Sequence, residues 1–408
     1  MEKIRIAVRK FDPFETTLQK LWDAFCIKNN IQAEAEMIPL ELHDLYEETI
    51  TKKGLLNGKW DIAHLNTDWV FDAANENAIL DLTSFINVNP PHNYPDGWHN
   101  SLLHLQQINN GTYGLPFHDG PECLIFRKDL FENSIEKENF KKQFGYDLQP
   151  PKTWQEFVQI ATFFNRPEEN IYGCVFANFP DGHNMVFDFC LQLWTRGGTL
   201  TDKQNNININ QSSAVEALNF YRFIVNNKNA VHPKSKSFGS VEAGLAFAEG
   251  QATMAINWFG FASMCEVIEE SKVKGKVDIT QLPFDKNHKT ASLNVYWLYT
   301  IGSGSKHQKL AYNFLQFATS PESDKLLTIE GGIGCRKSTW NDPEINKIIP
   351  FYHKLEMLHE NALTLPQTPI WPKVAALIDQ MVLKAIETDV TSETLLEETQ
   401  SAIQQLRN

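Results

Sequence analysis

No stretch of this 408-residue chain approaches the roughly 18 consecutive apolar residues that a helix needs to cross a bilayer. The richest run, Met185–Trp194, is interrupted by Asp188 and Gln192. Basic residues are in short supply, with 37 Lys and Arg against 50 Asp and Glu and a formal net charge of −13, which works against nucleic-acid backbones and anionic membrane surfaces. The six cysteines include no C-x-x-C pair, so they read as isolated reduced thiols rather than as a metal ribbon or a disulfide framework. Phosphate-loop and nucleophile-elbow patterns are missing. Gly302-Ser303-Gly304-Ser305-Lys306-His307 begins like a dinucleotide loop but lacks the third glycine. His99 with His104, and His353 with His359, miss the i, i+4 spacing that sets two ligands on one helix face; they read as solvated or capping residues. Neither a cofactor nor a metal is expected.

What is present suits a globule: 42% hydrophobic and 12% aromatic residues, in a length that fits two or three domains. Lys3–Val8 reads as a strand and Thr16–Cys26 as a helix, with Leu18, Leu21, Trp22 and Phe25 at helical spacing. Ala33–Ile38 and Trp60–Leu65 repeat the strand signal around a helical 40–51. Beyond the turn-rich 90–98, strands are expected at Cys123–Phe126, Tyr172–Phe176, Ala252–Asn257 and Leu293–Ile301, with helices between them. Thr153 and Glu156 form a capping-box signature after Pro150 and Pro151. Trp22, Trp154 and Trp194 lie in amphipathic helices and are expected in the core. The alternation predicts α/β sheets covered by helices.

Several segments then occur in one order. They are Gly58-Lys59-Trp60-Asp61-Ile62 followed by Asp68; Asn110-Gly111-Thr112-Tyr113-Gly114-Leu115-Pro116; Phe126-Arg127-Lys128-Asp129-Leu130-Phe131; Pro150-Pro151-Lys152-Thr153-Trp154-Gln155-Glu156-Phe157; Phe247-Ala248-Glu249-Gly250-Gln251-Ala252-Thr253-Met254; and Ser305-Lys306-His307 through Phe317-Ala318-Thr319-Ser320-Pro321-Glu322. Together they resemble the family 1 extracellular solute-binding proteins of ABC transporters, the maltose-binding-protein-like group, over nearly the whole chain. Gly334-Cys335-Arg336 departs from the family's G-x-P-x-R. The resemblance implies a type II periplasmic-binding-protein fold, with two α/β lobes, a hinge and a ligand cleft between the lobes. Crossings placed near Phe117, Pro283 and Gly332 would give one lobe of residues 1–117 with 284–332 and another of 118–283 with 333–408.

Sugar recognition needs flat aromatic faces for the C–H side of a ring, and carboxylates or amides for its hydroxyls. Asp68 sits where the resemblance places a ligand aspartate, past a strand end, and Trp69 adjoins it. His118, Asp119 and Glu122 occupy the polar loop at the first crossing, and Asp12 the loop after the first strand. Trp258, Tyr296, Trp297 and Trp371 are the aromatic candidates, with Arg336 in the loop near the third crossing. The expectation is a non-enzymatic binding component of a carbohydrate ABC transporter, a monomer that partners permease subunits and not nucleic acid. A cationic ligand such as a polyamine, or a hydrolase using paired carboxylates, are the alternatives. The resemblance implies an extracytoplasmic location. Met1–Phe11 alternates charged and apolar residues, without the apolar core of an export signal, so a native start at Met1 would imply the cytoplasm.

Overall fold

A computed structural model of the chain describes residues 2–406. It divides into two compact α/β units, one running to Gly120 and resuming at Asn294–His359, the other comprising Pro121–Leu293 and the chain from Glu360 onward. The first unit holds β1 (Glu2–Arg9), β2 (Ala33–Leu40), β3 (Ile62–Asn66), β4 (Gln107–Ile108), β5 (Gly111–Thr112), β6 (Leu115–His118) and β12 (Trp297–Ile301). The second holds β7 (Glu122–Arg127), β8 (Tyr172–Val175), β9 (Ala252–Trp258), β10 (Val277–Thr280), β11 (Ser292–Leu293) and β13 (Ala362–Leu363).

In the first unit, the main sheet runs β2-β1-β3-β12-β6, with β1 parallel to its two neighbours and β12 antiparallel to β3 and β6. The helix Asp12–Asn29 starts with Pro13 in its first turn and ends at Asn30, whose φ of 52° lies in the left-handed region. Its buried Phe14, Leu18, Leu21, Trp22 and Phe25 pack into one cluster with Ile4, Ile6 and Val8 of β1 and Phe314. Each such side chain is worth about 1.5–3 kcal/mol.

In the second unit, the sheet runs β10-β7-β9-β8, with β8 parallel to β9 and β7 antiparallel to β9. The capping box forms as expected: Glu156 N–H donates to Thr153 Oγ1 at 3.2 Å, and Thr153 N–H to Glu156 Oε2 at 3.1 Å. Trp22, Trp154 and Trp194 are buried.

The boundaries differ from those read in the sequence. The segment expected as one strand, Leu293–Ile301, is two. Ser292–Leu293 pairs with β13 in the second unit, whereas Trp297–Ile301 joins the first unit's sheet. Residues 333–359 belong to the first unit rather than the second. Cys335 N–H and Arg336 N–H donate to the Asp324 carboxylate at 2.8 and 3.2 Å, and Gly334 N–H donates to Tyr352 Oη at 2.8 Å. The two bonds to Asp324 hold the segment against the helix Pro321–Ile329.

Candidate functional site

In the first unit, the candidate residues gather at one end of the sheet. Trp297 opens β12 and is registered with Asn66, the last residue of β3, and with His118, the last of β6. The carboxyl ends of parallel strands are where open α/β sheets present ligands. Asn66 caps the helix Thr67–Asn75, its side chain accepting from Asp68 N–H at 3.3 Å. The same helix then presents acids at one-turn intervals, Asp68, Asp72 and Glu76. Burial first, then Glu76 and Asp68, push the Asp72 carboxyl up to about 6. Trp69 is buried, its ring edge-on to Tyr46 at 5.3 Å and to Trp297 at 5.7 Å. Trp297 stays partly exposed.

His118 Nδ1 accepts from Ile333 N–H at 2.9 Å, and burial pushes its imidazole down to about 4, so the ring is neutral at physiological pH. Asp119 is buried and accepts from His359 Nε2 at 2.7 Å. His359 Nδ1 meets Ser101 Oγ at 2.8 Å, and Ser101 Oγ meets His99 Nδ1 at 2.7 Å, making a four-member chain that ends at the half-buried His99. Trp340 stacks on His359 at 4.9 Å and 8°. His359 is therefore an internal partner rather than a solvated residue, while His99 stays partly exposed and its Nδ1 also accepts from Ser101 N–H at 3.3 Å. Sequence spacing missed them because Asp119 and His359 lie 240 positions apart.

In the second unit, Glu122 opens β7 directly opposite Trp258, which closes β9. Trp258 is partly exposed, with its ring edge-on to Phe187 at 5.7 Å. Beside them, Asp188 on the helix Asn184–Trp194 accepts from the Tyr221 hydroxyl, and Asn178, just past β8, donates through Nδ2 to that same hydroxyl. Sequence reasoning passed over Asp188, Asn178 and Tyr221. The available signal was the lone acid in the apolar run Met185–Trp194.

Of four further candidates, Arg336, Tyr296 and Trp371 are buried and Asp12 is exposed. Arg336 is 1% exposed. Its guanidinium lies over Trp98 at 4.1 Å and donates to Thr319 O at 2.8 Å and His92 O at 2.7 Å, so it holds loops together. Tyr296 is buried with its hydroxyl donating to Gln106 Oε1 at 2.7 Å. Asp12 is exposed at the first turn of its helix, two residues before Phe14, whose ring lies edge-on to His118 at 4.8 Å. Trp371 starts the helix Trp371–Glu387 and is buried. Among the described residues, no cluster of three or more His, Cys, Asp or Glu has the geometry to hold a metal, and no helix is long and apolar enough to cross a membrane.

The family described as bacterial extracellular solute-binding protein matches residues 44–325. A probable ABC transporter-binding protein of Deinococcus radiodurans is 25% identical over 64% of this chain. A mannitol-binding protein of Pseudomonas aeruginosa is 25% identical over 58%. The chain spans 61% and 52% of those two relatives' lengths. Among solved structures, maltose-bound MalE3 of T. maritima superposes with a TM-score of 0.85 at 24% identity, covering all of both chains. A solute-binding protein of Agrobacterium radiobacter in complex with ribitol gives 0.86 at 21% identity, covering 99% of this chain and 98% of that one. One from Agrobacterium vitis with bound D-mannitol gives 0.82 at 20%, covering 100% and 98%. At these identities the superpositions establish the fold.

Proposed function

This chain belongs to the bacterial extracellular solute-binding protein family, and from that premise we propose that it is the non-enzymatic binding component of a carbohydrate ABC transporter, taking a saccharide or polyol. The observation that carries the reading is the gathering of aromatic and hydrogen-bonding side chains at one sheet end in each unit. These are Asp68, Trp297 and His118 in the first unit, and Glu122 and Trp258 in the second. Aromatic faces with acceptors beside them suit a ligand that is apolar on its C–H side and rich in hydroxyls. Trp69, whose ring meets Trp297, and Asp119, next to His118, support the groups that touch ligand. On the family's plan the two lobes close on the ligand by a hinge motion, and the loaded protein, a monomer outside the cytoplasm, docks on permease subunits. A cationic ligand is the second reading, favoured by the acidic stripe Asp68, Asp72 and Glu76.

The test is a thermal-shift screen with D-mannitol, ribitol, maltose, D-tagatose and spermidine, since a ligand that binds only the folded state raises its melting temperature. A concentration-dependent rise with a sugar or polyol is expected. A rise with spermidine alone sinks the carbohydrate reading.

A further inference from the structure

The backbone passes between the two units three times, at Gly120 to Pro121, at Leu293 to Asn294 and at His359 to Glu360. On the first unit's side, each passage is tied to one serine, directly or through one ring. Ser101 opens the short helix Ser101–His104; its carbonyl accepts from Asn294 Nδ2 at 2.8 Å, and its hydroxyl meets His359 Nδ1 at 2.8 Å. His359, the last residue of the helix Leu355–His359, reaches on through Nε2 to Asp119 Oδ2 at 2.7 Å. One connected set of side chains therefore joins the three places at which the chain leaves or re-enters this unit.

The donors and acceptors in this set fix where its protons sit. The Ser101 backbone N–H donates to His99 Nδ1 at 3.3 Å, so that nitrogen carries a lone pair. Burial first, then the charge on His359, pushes the His99 imidazole below its usual range, which keeps the lone pair available. Ser101 Oγ lies 2.7 Å from the same nitrogen and is the one of the two with a proton to give, so its single hydrogen points there. Its lone pairs then face His359 Nδ1, and that contact is a hydrogen bond only if Nδ1 carries a proton. On the other side of the ring, Nε2 meets a carboxylate oxygen, an acceptor, and needs a proton as well. With a single proton on the ring, one contact becomes lone pair against lone pair, whichever way the Ser101 hydroxyl turns.

Charge leads to the same arrangement. The Asp119 and His359 side chains are 1% and 0% exposed, and among the described residues His359 is the one basic side chain within ion-pair reach of that carboxylate. A buried carboxylate is costly unless it is paired and hydrogen-bonded, and an imidazolium does both. Trp340 stacks on the His359 ring, centroids 4.9 Å apart and planes 8° from parallel, presenting the face that an aromatic offers a cation. Glu356, on the helix of His359, and Lys337 act on His99 with opposite sign. His118, Cys335, Tyr296 and Tyr352 stand around Asp119, and burial keeps all four uncharged.

We propose that His359 is an imidazolium, protonated on both ring nitrogens at pH 7, and that with Asp119, Ser101 and Asn294 it braces the three points where the chain leaves the first unit. Acid, imidazole and hydroxyl stand in the order of a hydrolase triad, yet a ring with both nitrogens protonated has no lone pair to take the Ser101 proton. The set braces rather than reacts. It does not rest on the ligand reading above, and a silent thermal screen would leave it untouched.

The experiment is nitrogen–proton correlation NMR of the imidazoles in the full chain at pH 7. H359Q assigns the signal, and Ser101→Ala, which removes the hydroxyl that both rings touch, assigns it again if H359Q does not fold. The expected result is a His359 ring with two slowly exchanging N–H protons beside a His99 ring whose Nδ1 is bare. A His359 ring with one protonated nitrogen overturns the imidazolium. Hydrogen exchange read by mass spectrometry then tests the brace. In S101A, exchange should quicken about tenfold, one hydrogen bond's worth, in the peptides containing Asp119, Asn294 and His359 together. A change confined to the peptide around Ser101, or none, overturns the brace.

Discussion

Asp119 and Glu122 stand three positions apart in the segment His118-Asp119-Gly120-Pro121-Glu122, and the two units meet the same problem, a buried carboxyl, in opposite ways. In the first unit, Asp119 receives an imidazole N–H, and the chain of hydrogen bonds continues through His359 and Ser101 to His99 near the surface. In the second, Glu122 faces another acid, and two acceptors are left unmatched. A satisfied buried network rigidifies its surroundings, whereas an unsatisfied one carries a cost that persists only where something offsets it. The contrast separates a carboxyl that the fold matches from one that it leaves unmatched, although both occur in one stretch of polar sequence.

The sharpest way to break this contrast is Asp119→Ala, which leaves the His359 N–H unmet in a site where His359 is 3% exposed. Removing one member of a buried pair should cost about 3–5 kcal/mol in urea denaturation; a loss below about 1 kcal/mol would place Asp119 outside the scaffold. The converse substitution, Glu122→Gln, should stabilise the protein by about 1–3 kcal/mol at pH 8 and by little at pH 5. The sign follows from carboxyls raised in the folded state. The stability they contribute is complete below the ordinary carboxylate range and is lost as pH rises through about 7 for Asp188, and higher for Glu122. The wild-type melting temperature should therefore fall from pH 5 to pH 8.5, and the variant's should fall less; parallel curves would contradict it.

Trp258→Ala, opposite Glu122 on β9, should weaken binding of whichever sugar or polyol the screen identifies by about 1–3 kcal/mol in calorimetric titration, with little change in melting temperature without ligand. An unchanged dissociation constant removes Trp258 from the contact surface. His99→Ala, at the wet end of the first unit's chain, should cost the least, about 0.5–1.5 kcal/mol of stability, and a cost equal to that of Asp119→Ala would show that the hydrogen bonds act as one unit.

Much of the fold was legible because local signals sufficed. The helix at Thr153 announced itself through a cap and an apolar face, and the strands Lys3–Val8 and Ala252–Asn257 stand within a residue or two of where alternation and β-branched residues put them. Where a strand changes partner, local sequence is mute. Nothing in the run from Leu293 to Ile301 marks that its ends pair in different sheets, since both ends are equally apolar. The site was partly legible for the same reason. Asp68 lies just past the end of β3 and Trp258 closes β9, so position in the chain places them, whereas Arg336 resembles a recognition residue until its guanidinium is seen over Trp98 and donating to Thr319 and His92. Asp188 and His359 carry their meaning through contacts far along the chain, which spacing does not encode.

The six cysteines, none of them in a disulfide, also make the molecule its own reporter. Cys26 is half-exposed and the other five are buried. Burial pushes Cys265 up to about 12, and Cys174, Cys190 and Cys335 higher than an ordinary thiol. An alkylating reagent should therefore tag Cys26 alone in the native protein. The buried thiols are unevenly shared, with Cys335 in the first unit and Cys123, Cys174, Cys190 and Cys265 in the second. The mass increments acquired during mild destabilisation thus work as a clock, in which one added adduct records the first unit opening alone and four together record the second.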